Sequence, residues 1–275
     1  MRKAISAITF FDVVFLLMLS VTGNIGGTIG NIIYYLAFIV PLFFASLFLR
    51  NNKDDEVKPE PPRLLPDLKS LGFTLPLVFP FIAAVFLVSF LTSLLLNALG
   101  FSSVTDVSGN IFGVIVKHAL IPSLFEEAVF RFIPIMLLLP YSKKNALFIS
   151  SVMFASVHCN LFQIPYALTA SLVLSAVAIA TGSIFPSVLL HFLNNLASIS
   201  FMRCAGVPYF NLIFFLSLGV LTLLSLGFIY LKRDKYTQFL KDIYADKCRV
   251  EFTPPVVIFV TMALVIGVVN LCVSL

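Results

Sequence analysis

The sequence predicts an all-α, polytopic transmembrane helical bundle of eight or nine spans, and three observations carry that prediction. Sixty per cent of the 275 residues are hydrophobic and 11% are charged, with a mean hydropathy of +1.05, a balance foreign to soluble globular domains. The apolar residues come in long unbroken runs, which denies a β-barrel its alternating strands and polar lumen. Lys and Arg gather in the connections between those runs, where the positive-inside rule expects them. Those connections account for the net charge of +5, so no nucleic-acid partner is implied. Cys159, Cys204, Cys248 and Cys272 are scattered without a C-x-x-C pair, which points away from a disulfide framework or a thiolate metal site.

Residues 4–21, behind Arg2 and Lys3, form the first span. A signal peptide has the same basic start, but the charge map below requires a retained helix. Asp12 interrupts this span as a polar contact between helices. A glycine-rich turn at 23–30 leads into a second span at 31–49. Residues 50–70 mix charges with four prolines and read as an irregular linker. The third span is 75–96, followed by a loop at 97–110 that lacks Lys and Arg. The fourth, 111–139, is expected to bend at Pro122 and Pro134. The fifth is 145–160. The sixth, 165–182, is rich in Ala, Ser and Leu and suited to close packing. The seventh and eighth are 183–201 and 209–231, a basic amphipathic loop fills 232–251, and 255–275 is the last. Three units follow: 1–74, a core at 75–205, and 206–275. With the N-terminus in the cytoplasm and nine alternating spans, 15 of the 18 basic residues fall inside. The number drops to eight if one weak span is re-entrant.

The fourth span carries the chemistry. Glu126, Glu127 and Arg131 lie within an apolar run otherwise broken only by Lys117 and His118. Each charge near a bilayer centre costs about 2.5–3.5 kcal/mol on insertion scales, so three cost on the order of 8–10 kcal/mol unless paired. Glu127 and Arg131, four apart, face each other on a helix. Glu126 is turned about 100° from Glu127 and must find its partner on another helix. A purely structural salt-bridge cluster is the competing reading. His158 closes F-A-S-V-H, and His191 opens H-F-L-N-N, where Asn195 shares its face and Asn194 points elsewhere.

These groups support two chemistries. In one, Glu126 and His158 hold and deprotonate a water, while His191 and Asn195 donate to the developing oxyanion. In the other, Glu126, His158 and His191 ligate Zn²⁺, which activates the water, although H-E-x-x-H spacing is absent. There is no G-x-S-x-G elbow, and Asp12 is the only aspartate within a span. Serine and paired-aspartate mechanisms therefore lack their groups.

E-E-A-V-F-R (126–131) matches E-E-x-x-x-R, F-A-S-V-H (154–158) matches F-x-x-x-H, and H-F-L-N-N (191–195) matches H-x-x-x-N. In these motifs, over roughly residues 75–205, the chain resembles the CPBP family of intramembrane proteases, also called the Abi or type II CAAX prenyl endopeptidase family. The resemblance implies Glu126 as the water-activating glutamate, with Glu127 and Arg131 in support. It implies His158 as the second water partner, His191 and Asn195 on the oxyanion side, and Phe154 lining the site. It further implies a multi-pass protein of a bacterial cytoplasmic membrane that contacts lipid and cleaves a membrane-associated or lipidated peptide. Family members include both glutamate-dependent and metal-dependent proteases, so no cofactor is required on the preferred reading and Zn²⁺ stays open. A non-catalytic peptide-binding or immunity protein of the same fold is the main rival. A small-solute transporter would show inverted repeats, and none is evident.

Overall fold

Backbone amides in an apolar chain must find partners within their own segment, and nearly all of this chain does so as helix. The computed structural model describes residues 1–24, 27–51, 61–102 and 107–273. Parts of the expected 23–30 turn, 50–70 linker, 97–110 loop and final span lie outside the described residues. Every expected span falls on a helix: α1 (Arg2–Asn24), α2 (Gly27–Asn51), α3 (Leu68–Ala98), α4 (residues 111–138), α5 (Lys143–Ser156), α6 (Ile164–Thr181), α7 (Phe185–Cys204), α8 (Phe210–Leu231) and α10 (Pro254–Val273). One more, α9 (Arg233–Ala245), occupies the stretch read as a basic loop. Five helices among the described residues, α3, α6, α7, α8 and α10, are long and apolar enough to cross a membrane. Helix α5 has 14 residues and spans about 21 Å, short of a hydrocarbon core of about 30 Å.

Local chemistry sets several boundaries. Asp67 caps α3 by accepting the Ser70 N–H at 2.7 Å and its hydroxyl, so the helix starts at Leu68, earlier than the hydrophobic run suggests. Ser142 caps α5 through the Asn145 N–H at 3.1 Å. Gly182, at φ +62°, ends α6 in the left-handed conformation that glycine adopts without steric cost. Instead of a simple bend at each proline, α4 widens into π-helical turns at Val116–Leu120 and Ala128–Phe132. Pro122 and Pro134 follow these turns. A proline lacks the N–H that residue i−4 would receive and clashes with that carbonyl, here His118 and Phe130, and widening relieves both defects.

Helix α4 is the hub and packs against α1, α2, α5 and α7. Phe15, Phe38, Phe130 and Phe154 interlock around it, with ring centroids 5.0–5.6 Å apart. A second cluster joins Phe81 and Val85 of α3 to Leu174 of α6 and Leu190 of α7. Helices α5 and α6 also share a buried hydroxyl contact, Ser150 to Ser175 at 2.8 Å.

Contacts between connections respect one alternation of sides. Arg63 in the first linker exchanges backbone hydrogen bonds with Gly182 and Ile184 at 2.9 Å, and its guanidinium donates to the Thr181 carbonyl at 2.9 Å. Asn145 donates to the Arg249 carbonyl and accepts the Glu251 N–H, while Arg2 pairs with Glu251 at 3.1 Å. On the opposite side, Arg203 donates to the carbonyls of Val107 and Gly109.

Asp246 is the centre of the first-side clamp. It accepts from the Ser142 hydroxyl at 2.7 Å, the Lys144 N–H at 3.1 Å and the Cys248 N–H at 2.9 Å. Partial burial raises its pKa, but these donors together outweigh that and hold it down at about 2, below 3.8. Its ionised form therefore stabilises the fold above about pH 4, and that contribution is lost as pH falls toward 2. The expected stability difference between wild type and Asp246→Asn is constant at neutral pH and closes on acidification, as read by thermal melts in detergent.

Candidate functional site

Glu127 sits at the midpoint of α4 with no solvent exposure, and its Oε1 serves two partners. Arg131 Nη1 approaches at 3.4 Å, both side chains being fully buried. That contact is an ion pair without hydrogen-bond alignment, since no guanidinium nitrogen of Arg131 has a hydrogen-bond partner among the described residues. The guanidinium carbon lies 3.9 Å from the centre of the Phe154 ring, so α5 supplies the cation's second contact through its π face. The other partner of Glu127 is His191 on α7, whose Nδ1–H donates to Oε1 at 2.9 Å.

With Nδ1 committed to a carboxylate, His191 presents Nε2 on its far side. Glu126 Oε2 stands 3.9 Å from that nitrogen. The separation is too long for a direct hydrogen bond, but both atoms can bond to one water or one substrate oxygen. The Glu126 side chain is 21% exposed where Glu127 is sealed. The adjacent carboxylates thus divide into one that holds its neighbours and one that is partly exposed.

His158 belongs to the turn that ends α5. Its Nδ1–H donates to the Phe154 carbonyl at 2.9 Å. A carbonyl can only accept, so the proton is fixed on Nδ1 and Nε2 keeps its lone pair. The Phe154 ring stands edge-on between the two imidazoles, 4.9 Å from His158 and 6.0 Å from His191. His158 lies within electrostatic reach of His191 and Arg131.

The structure therefore brings Glu126, Glu127, Arg131, Phe154, His158 and His191 together from α4, α5 and α7. The imidazole adjoining Glu126 is that of His191. Asn195 has no hydrogen bond to His191 or Glu126 among the described residues. Asn194 Nδ2 donates to Asn195 Oδ1 at 3.4 Å, leaving the Asn195 NH₂ without a hydrogen-bond partner among the described residues. Asp12 is buried on the packed face of α1, and its Oδ2 has no hydrogen-bond partner among the described residues. No group of three His, Cys, Asp or Glu side chains already placed to hold a metal ion is found among the described residues.

Sequence reading missed two phenols. Tyr34 of α2 and Tyr166 of α6 lie within electrostatic reach of Glu126. Tyr34 packs on Phe38, which in turn contacts Phe125 beside Glu126. The available signal was a polar-tipped aromatic inside an apolar run, which alone does not say which helix it meets.

An apolar groove of about 360 Å³ lies between α2, α4 and α7. Leu42 of α2, Leu124, Ala128 and Phe132 of α4, and Phe185 and Val188 of α7 line it. Val188 lies one turn before His191.

No curated protein and no solved structure matches the chain. Residues 109–197, which contain all six clustered side chains, match the family described as Type II CAAX prenyl endopeptidase Rce1-like. The helical core that holds Glu126, His158 and His191 is thus the part of the chain that is similar to the Rce1-like family of type II CAAX prenyl endopeptidases.

Proposed function

We propose that this protein is an intramembrane endopeptidase that hydrolyses a peptide bond of a lipidated or membrane-associated substrate through a water activated by Glu126. The observation that carries the reading is the partly open Glu126 carboxylate facing an imidazole whose other nitrogen is pinned by Glu127. Glu126 takes a proton from water while the water oxygen bonds to the substrate carbonyl carbon. His158 Nε2, a lone-pair acceptor, holds the same water. The resulting oxyanion is met by donors, the Asn195 amide and a proton carried on His191 Nε2. The C–N bond then breaks, and Glu126 returns its proton to the departing amine.

The apolar groove supports a substrate bearing a hydrocarbon chain. Ala128 lines it, so Ala128→Phe is expected to raise KM at least about 10-fold for a farnesylated peptide, since the blocked site loses apolar burial. KM for the same peptide without lipid should change little. Equal effects on both would remove the groove from the reading.

The primary test is hydrolysis of a farnesylated peptide ending in a CAAX sequence by the purified chain, followed by mass spectrometry. Cleavage by wild type and none by Glu126→Gln supports the reading, whereas equal product from both ends it. The glutamate-dependent reading expects chelator to leave the rate unchanged. A rate lost to chelator and restored by Zn²⁺ would favour the metal-dependent alternative. A binding-only protein retains peptide affinity and releases no product.

A further inference from the structure

Helix α10 lies outside residues 109–197, yet it holds the backbone that carries His158. Helix α5 ends at Ser156, and the chain reverses through Val157–Cys159. Cys159 adopts φ 46°, a left-handed conformation that L side chains other than Asn and Asp rarely visit. A backbone carbonyl at such a helix end has no partner within its own helix, and lipid offers none.

Asn270 of α10 supplies the partner. Its Nδ2 donates to the Cys159 carbonyl at 3.1 Å. Asn270 is otherwise misplaced, being an amide among the lipid-facing valines 268, 269 and 273 of a strongly apolar helix. Three residues earlier, Gly267 is buried, and a Cβ there would lie 3.5 Å from the carbonyl carbon and oxygen of Cys159. A single methyl there would make ordinary van der Waals contact with the turn, whereas a larger side chain would have to push α10 away from it. Glycine and asparagine, three apart on one helix, converge on a single peptide group next to His158.

We propose that Asn270 is a positioning residue for His158, acting through the Cys159 carbonyl, with Gly267 setting the approach of α10. The proposal rests on the peptidase reading for its kinetic consequence but not for its structural one. The contact fixes the turn so that the His158 ring stays bonded to the Phe154 carbonyl and presents Nε2 toward the site.

The test uses the full-length chain and the farnesylated peptide. Asn270→Leu is expected to lower kcat about 10-fold with KM within about twofold. Adding Cys159→Gly, which adopts the left-handed turn freely, is expected to recover most of the lost kcat. Gly267→Leu, which displaces α10, should reproduce the kcat loss. Hydrogen exchange read by mass spectrometry should show Asn270→Leu accelerating amides 157–163 about 10-fold, with the rest of the bundle unchanged. A wild-type-like kcat in an active preparation, or unchanged exchange over 157–163, would overturn the assignment. Wild type that cleaves nothing would refute the peptidase reading, and the exchange comparison would still decide the anchor.

Discussion

Glu126→Gln is expected to fold as wild type does and to hydrolyse peptide at least about 10³-fold more slowly. Glutamine keeps the size and shape of the side chain but cannot accept the water's proton, and a positioned general base contributes about 10²–10⁴-fold. Glu126 has no close pairing of the kind that fixes Glu127, standing 3.9 Å from His191 Nε2 and partly exposed. Its neutralisation therefore leaves no buried charge without a mate. Single-turnover rates with melting curves on the same preparation check both halves. A variant that melts with wild type but keeps its rate would move the base elsewhere, with His158 next in line.

The opposite pattern is expected at Arg131. Arg131→Met removes the cation from a fully buried pair and leaves the Glu127 carboxylate facing apolar surroundings and one imidazole. Breaking a buried pair from one side costs about 3–5 kcal/mol, and here the cation–π contact with Phe154 is lost as well. The Glu127→Gln/Arg131→Met double variant removes both charges and should regain most of that stability. It should not regain activity, because His191 Nδ1 then lacks the carboxylate that steers it. Thermal melts paired with turnover separate the two roles. Full activity in the double variant would show that Glu127 serves packing alone.

The helices and the clustering of Glu126, His158 and His191 were legible because ionisable groups inside an apolar run are a strong local signal. The pairing of Glu127 with Arg131 was legible from their four-residue spacing. The bond from His191 to Glu127 was not, because it joins residues 64 apart, and no single-sequence pattern states which helices meet. The same limit hid Tyr34, Tyr166 and the grip of Asn270 on Cys159. At 194–195, helical geometry separates the two Cα–Cβ directions by about 100°, yet amide side chains are long enough to meet across that angle. Helix α9 was obscured by its charges. The linker's clasp on Gly182 depends on backbone groups that any residue carries.

The tethers between connections are unevenly shared between the two ends of the bundle. Among the described residues, Arg63, Asp246, Asn145 and Arg2 cinch one end. At the other, Arg203 and Asn270 make the side-chain ties. Such a sheaf bound at one end spreads from the other when warmed or when the surrounding lipid thins. Its earliest partial opening should therefore splay the turn after α5 while the clasped end stays shut.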